Sequence, residues 1–84
     1  MYYTYVLRSQ RDGFLYIGWS DDLQTRFRAH ERGAVPSTKN RRPLVLVYYE
    51  ACRTREDAVQ REKTLKTGFG RAYLKRRLSH DQGT

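Results

Sequence analysis

Two β-prone runs separated by a three-residue turn signal open the chain and constrain most of what it can become. Residues 1–7 are dense in Tyr, Thr and Val, which places Tyr3, Tyr5 and Leu7 on one face of an extended strand and Tyr2, Thr4 and Val6 on the other. Arg11-Asp12-Gly13 supplies the turn, and residues 14–19 form a second run of the same kind. The simplest pairing of two such runs is an antiparallel hairpin.

The rest of the chain supplies elements to cover it. Ser20 or Asp21 can cap a helix that closes at Gly33, a residue suited to the position after a helix end. Residues 34–43, with both prolines of the chain and a basic stretch, read as a loop. Residues 44–51 are a third strand, apolar on both faces at Val45, Leu46 and Val47, and therefore expected at the centre of the sheet. Thr54 with Asp57 resembles a capping box that starts a second helix, ended by Gly68. Residues 71–79 can form a third helix with Leu74 and Leu78 one turn apart, and 81–84 read as a frayed end. The order ββαβαα predicts a two-layer α+β fold, a small three-stranded, mainly antiparallel sheet flanked by helices, in one domain over residues 1–80. A chain of 84 residues has room for one such core.

Several function classes drop out on composition. The longest apolar run, residues 44–49, is far short of the roughly 20 residues a membrane-spanning helix needs, so a soluble, cytoplasmic protein without a membrane partner is expected. One cysteine, Cys52, excludes an internal disulfide, and with only His30 and His80 beside it no Cys/His zinc cluster can be assembled. The net charge of +8 is uneven: residues 1–36 hold five basic and four acidic side chains, residues 37–84 twelve and five. Such one-sided charge suits a polyanion, most often nucleic acid. Lys39, Arg41 and Arg42 in the loop, with Arg71 and Lys75 on the last helix, are the candidate phosphate contacts.

Polar residues stand where apolar ones belong. At about 100° per residue, Arg26 and His30 share the core-facing stripe of the first helix with Leu23 and Phe27, whereas Arg28 and Arg32 point to water. A structural ion pair, a snorkelling edge position and an active site at the sheet's rim all fit that placement. On the second helix Glu62 falls within the stripe of Ala58 and Leu65. It can pair with Arg61, Lys66 or Arg26, or it can present a lone carboxylate to a divalent cation such as magnesium, which takes few protein ligands and keeps its waters. Among seven tyrosines, Tyr2, Tyr48 and Tyr49 need be no more than packing residues with a wet hydroxyl. The hairpin brings Tyr5 and Tyr16 together. Two phenols, an Arg, a His and a carboxylate at one sheet edge make a site for phosphodiester hydrolysis, in which a phenol or a metal-bound water supplies the base and the guanidinium neutralises the phosphate.

Tyr3-Thr4-Tyr5, ten intervening residues, Tyr16-Ile17-Gly18, then residues 22–27 with His30, and Glu62 on a later helix, resemble the GIY-YIG nuclease superfamily. The resemblance covers nearly the whole chain and is closest to short stand-alone bacterial members, which carry a loop like residues 37–43. It implies Tyr5 and Tyr16 at the nucleophile, with one of them or a bound water as base. It further implies Arg26 on the scissile phosphate, His30 orienting a tyrosine, and Glu62 as the protein ligand of one Mg2+ or Mn2+ ion. Tyr3 and Thr4 stand where the family name has Gly and Ile, whereas Gly18 is retained, where a side chain would obstruct the strand end. The implied activity is a metal-dependent endonuclease acting on DNA, with RNA left open, structure-specific or repair-related, and working as a monomer or weak homodimer. The alternatives are a non-catalytic nucleic-acid-binding protein of the same fold, and an interaction module in which Arg26, His30 and Glu62 form a buried polar network.

Overall fold

The computed structural model describes residues 1–80, so the frayed end expected at 81–84 lies outside the described residues. Strands β1 (Tyr2–Ser9) and β2 (Leu15–Ser20) pair antiparallel with Tyr5 opposite Gly18 and Leu7 opposite Tyr16. The turn between them uses Gly13 at φ +76°, where a Cβ would be strained, and Asp12 Oδ1 accepts from the Phe14 N–H at 2.9 Å. Helix α1 (Leu23–Glu31) follows, then a short 3-10 turn at Lys39–Arg41, strand β3 (Leu44–Cys52), and helices α2 (Arg55–Leu65) and α3 (Gly68–Arg77). The order ββαβαα and the α+β class are as expected.

The sheet order is β2-β1-β3, which corrects the central position expected of the third strand: β1 is central and β3 is an edge. The apolar run misled for a local reason. Pairing of β1 with β3 slips between Val6 and Leu7, where Val6 faces Tyr48 but Leu7 faces Leu46, leaving Val47 as the extra residue of a β-bulge. Val47 and Tyr48 therefore both pack on one face while Leu46 packs on the other. The unbroken apolar stretch records a break in alternation, a common feature of edge strands.

Helices cover both faces. Tyr5, Leu7 and Leu44 pack with Tyr16, Leu23, Phe27 and Leu46 beneath α1. Val6 and Ile17 pack against Leu65 and Leu74 from α2 and α3. Thr4 belongs to this second face, and its buried hydroxyl donates to the Ala58 carbonyl of α2 at 2.8 Å.

Helix boundaries follow side-chain caps. Asp22, not Ser20 or Asp21, caps α1, its Oδ1 accepting from the Thr25 N–H at 3.1 Å, and Gly33 closes the helix at φ +78°. Thr54 caps α2 through the Asp57 N–H, as its spacing predicts. Gly68 does not end α2. Helix α2 stops at Leu65, Thr67 caps α3 by accepting from the Gly70 N–H at 3.2 Å, and Gly68 is the first residue of α3, so this helix starts three residues earlier than expected. The glycine that matters here is Gly70, because a Cβ on it would overlap the Thr64 carbonyl oxygen and the Leu65 backbone.

Candidate active site

The strand pair and α1 build the site. Tyr5 and Tyr16 lie diagonally across the β1–β2 ladder with ring centroids 6.3 Å apart. His30, in the last turn of α1, meets both rings edge-on, at 5.7 Å from Tyr5 and 5.1 Å from Tyr16. Helical phase delivers His30 to the interior as expected, and it is fully buried, at 0% exposure. Tyr5 Oη and His30 Nε2 are 2.8 Å apart, so the histidine and a tyrosine are partners as the resemblance implies.

Tyr5 is 1% exposed and Tyr16 half-buried, which separates their roles: the first is part of the wall, the second part of the surface. Gly18 makes this placement possible. A Cβ there would come within 2.7 Å of Tyr5 Oη and 3.1 Å of Tyr16 Cε2, so the Tyr5 ring occupies the space a side chain would need. The obstruction expected at Gly18 is thus a collision with the tyrosine itself.

Arg26 stands one turn before His30, and its charge interacts with both phenols, which raise its pKa. It is exposed at the surface, where phosphate can reach it. Burial raises the Tyr5 pKa, opposed by the neighbouring Arg26 guanidinium and reinforced by the charges of Tyr16 and Glu62. For His30, burial first and the Arg26 charge second lower the pKa to about 4, so the ring is neutral at pH 7.

Glu62 approaches from α2, near enough for its charge to act on Tyr5. Its side chain is mostly buried, and Oε2 accepts from Lys66 Nζ at 3.1 Å, one turn along. Of the three ion-pair partners the sequence allowed, Lys66 is the one used. Arg61 instead binds Glu50 at 2.9 Å, and Arg26 faces the phenols. The buried network of Arg26, His30 and Glu62 is accordingly not formed. No group of three or more His, Cys, Asp and Glu side chains able to hold a metal occurs among the described residues. A single carboxylate with one oxygen clear of Lys66 suits a hard cation that keeps most of its waters, and does not suit a zinc or calcium cage.

Sequence reasoning missed Thr38. This loop residue is fully buried, and its Oγ1 lies 2.7 Å from His30 Nδ1, on the side of the ring opposite Tyr5. No periodic pattern marks a loop threonine; the segment is set apart in the sequence by its prolines and basic residues and by the likeness of residues 37–43 to the family's loop. Tyr48 is corrected as well. Its hydroxyl donates to Glu50 Oε2 at 2.6 Å and lies 2.9 Å from Tyr73 Oη, so it is a member of a polar cluster with Arg61 and is not a wet packing residue. Burial and the adjacent Glu50 raise its pKa.

The candidate phosphate contacts fall into two groups. Arg41 pairs with Asp12 at 2.8 Å and stacks on Phe14, and Arg42 donates to the Lys39 and Glu31 carbonyls, closing the C-terminal end of α1. Lys39 is exposed beside them. Arg71 and Lys75 are exposed on α3. Arg71 and Lys66 line a groove of about 510 Å³ with Phe14, Leu15, Tyr16, Ile17 and Leu74 along the outer edge of β2. Tyr16 is shared between that groove and the site, and Arg71 is the α3 cation that lines it.

An antiparallel hairpin carries two phenols on one face, the helix that follows adds an Arg and a His, and a later helix adds one carboxylate. A family model described as the GIY-YIG catalytic domain matches residues 1–78, and the chain belongs to that family of nuclease domains. It is similar to a UPF0213 protein of Bacillus pumilus, 42% identical over 67 residues, which are 79% of this chain and 67% of the relative. A UPF0213 protein of Staphylococcus aureus is 39% identical over 67 residues, 79% of this chain and 80% of its own length. No solved structure matches. No helix among the described residues is long and apolar enough to cross a membrane.

Proposed function

We propose that the protein is a divalent-metal-dependent endonuclease that hydrolyses phosphodiester bonds of DNA. One observation carries this reading: Arg26 is exposed beside two phenols, one of which is held from behind by a buried neutral histidine. Three polar groups converging at a surface with a basic approach are costly to maintain for stability alone.

In this reading Arg26 binds the scissile phosphate through a planar fork that reaches two oxygens, which a lysine could not do. Tyr16, half-buried and lining the groove, meets the attacking water as the phenolate, its own proton having passed to solvent. It accepts the water's proton as the new P–O bond forms and the bond to the leaving oxygen, which takes a proton from solvent, breaks. Tyr5, backed by His30, supports Arg26 and Tyr16. Glu62 would hold Mg2+ or Mn2+. When bound, the ion supplies charge to the phosphate and the departing oxygen.

Lys66, Arg71 and Lys75 would guide the phosphate backbone along the β2 edge, with Lys39 and the Arg41–Arg42 loop as a second approach. Selection of shape over sequence, as in branched or damaged DNA in a repair setting, belongs to this reading. A cytoplasmic location and a monomer or weak homodimer belong to the same reading.

The test is cleavage by purified protein of linear, nicked, flapped and four-way DNA and of matched RNA, with magnesium, manganese or chelator. Metal-dependent products from one DNA form support the proposal. Tight, salt-sensitive binding without products under any condition favours the non-catalytic nucleic-acid-binding alternative.

A further inference from the structure

We infer that Lys66 is the counter-ion a divalent metal must displace from Glu62, and that it thereby sets the metal affinity of the site and ties it to occupancy of the β2 groove. The inference rests on the proposed reading in which Glu62 holds the ion.

The Glu62 side chain is 19% exposed and that of Lys66 55% exposed. Lys66 Nζ lies 3.1 Å from Glu62 Oε2, and it is the one hydrogen-bond partner of that carboxylate among the described residues. Lys63, the sequence neighbour of Glu62, pairs with no carboxylate among the described residues. Helix geometry accounts for the pair: Glu one turn ahead of Lys is the favoured order, and the ammonium stands at the C-cap of α2, toward the negative end of the helix dipole. As a stabiliser of α2, an ion pair with so exposed a lysine contributes little.

Its position gives it a second use. The carboxylate oxygen that accepts from the ammonium is not open to another cation, and a divalent ion on the other oxygen would stand beside a like charge. One of the two cations has to leave. The ammonium is the one carried on a flexible, exposed stem.

The backbone stays in place when it does. The Lys66 N–H donates to the Lys63 carbonyl at 3.2 Å, the Thr67 N–H donates to the Thr64 carbonyl at 3.1 Å, and Thr67 caps α3. Release is therefore a rotation of one side chain. Its destination is already built, because Lys66 lines the β2 groove together with Arg71 and Tyr16. A strand phosphate in that groove competes with Glu62 for the ammonium, and the ion competes with the ammonium for Glu62. Each frees the group the other needs, so each tightens the binding of the other by the same factor.

The experiment is manganese titration of the intact protein, read from the electron paramagnetic resonance of free Mn2+, with Lys66→Met, Lys63→Met and Glu62→Gln. Lys66→Met should bind manganese about two- to fivefold more tightly than the wild type, the factor that an exposed ion pair of this kind contributes. Lys63→Met should change much less, and Glu62→Gln should bind more weakly. Both lysines are exposed, so their variants should fold. Equal tightening in the two lysine variants overturns the inference, because net charge alone would then explain it. Unchanged affinity in Lys66→Met beside a weakened Glu62→Gln overturns it and leaves the metal assignment standing. Unchanged affinity in Glu62→Gln removes the ion from Glu62 and overturns both. Magnesium titration followed through the ε-methylene NMR signal of Lys66 gives a second reading: the signal should move to its position in Glu62→Gln, and a signal that stays while the ion binds overturns the inference. With a short DNA duplex bound and Tyr16→Phe added throughout to stop turnover, the duplex should tighten manganese binding more where Lys66 is present than in Lys66→Met. Equal tightening overturns the link to the groove.

Discussion

The ring of Tyr5 lies across Gly18, with the hydroxyl oxygen 2.7 Å from where a Cβ on that glycine would be. Gly18 has no unusual backbone angle, so its value is space. Gly18→Ala should push the Tyr5 hydroxyl away from His30 and lower cleavage by roughly 10²-fold or more, the scale of a lost acid–base contact. The accompanying destabilisation should be about 1–3 kcal/mol, as in other overpacked cores. Urea unfolding and single-turnover rates measure both, and a wild-type rate in the variant would show that the placement of Tyr5 is irrelevant to turnover.

Tyr5→Phe and Tyr16→Phe should each reduce cleavage by roughly 10²-fold or more, but they should differ in stability. Removing the Tyr5 hydroxyl leaves His30 Nε2 buried without its partner, at a cost of about 1–3 kcal/mol. Tyr16 is half-buried and its variant should unfold close to wild type. Tyr48→Phe is an unsuitable control because it breaks the Glu50 and Tyr73 contacts, and Tyr2→Phe is the better choice. Equal rates in Tyr16→Phe and Tyr2→Phe would remove phenol chemistry from the proposal.

Glu62→Gln should abolish metal-dependent cleavage with little change in folding. The ion pair it breaks involves a Lys66 ammonium that is largely exposed, and such surface pairs contribute about 0–1 kcal/mol. Calorimetric titration with manganese should show weaker binding in the variant. Retained cleavage at wild-type magnesium dependence would mean that the ion is held elsewhere.

The stability of the fold should fall as pH drops from about 6.5 to about 4, the window between the ordinary histidine pKa and that of His30. The folded state holds His30 neutral, so across this window the unfolded chain binds a proton that the folded chain does not, which favours unfolding. The full shift corresponds to about 3 kcal/mol. In His30→Gln, which does not titrate, urea midpoints at pH 7 and pH 5 should differ much less than in the wild type. An equal difference would place the pH sensitivity in other groups.

Affinity for nucleic acid should fall steeply as salt rises. Neutralising Arg71 and Lys75 together should flatten the log–log slope by about 1.8 on duplex DNA, two lost phosphate contacts at about 0.9 each. Thermal unfolding should be unaffected, since both side chains are exposed. Neutralising Arg41 and Arg42 should lower the melting temperature as well, because both are engaged with Asp12, Phe14 and the end of α1. An unchanged slope in the first pair would direct the nucleic acid away from the β2 groove.

The parts of the site built on regular elements were legible from spacing. Helical phase put His30 inside and Arg26 on the same side, and the hairpin brought Tyr5 to Tyr16. What resisted reading has no period. Thr38 is held by a loop whose path depends on tertiary contacts, and the importance of Gly70 appears only where α3 meets the backbone of α2. The edge position of β3 was hidden by a pattern that an uninterrupted central strand would also produce.

The bulge at Val47 divides β3 into two halves of opposite phase, the first delivering Leu44 and Leu46 under α1 and the second delivering Tyr48 and Glu50 toward α2 and α3. Deleting Val47 would remove the bulge and leave Leu46 and Tyr48 in regular alternation on the faces they already occupy, whereas a single deletion beyond it, at Tyr49, would turn Glu50 to the opposite face and strand Arg61 without its carboxylate. Tolerance of length changes in this strand is therefore set by where they fall, and the bulge is where the loss of one residue keeps the flanking side chains on their faces.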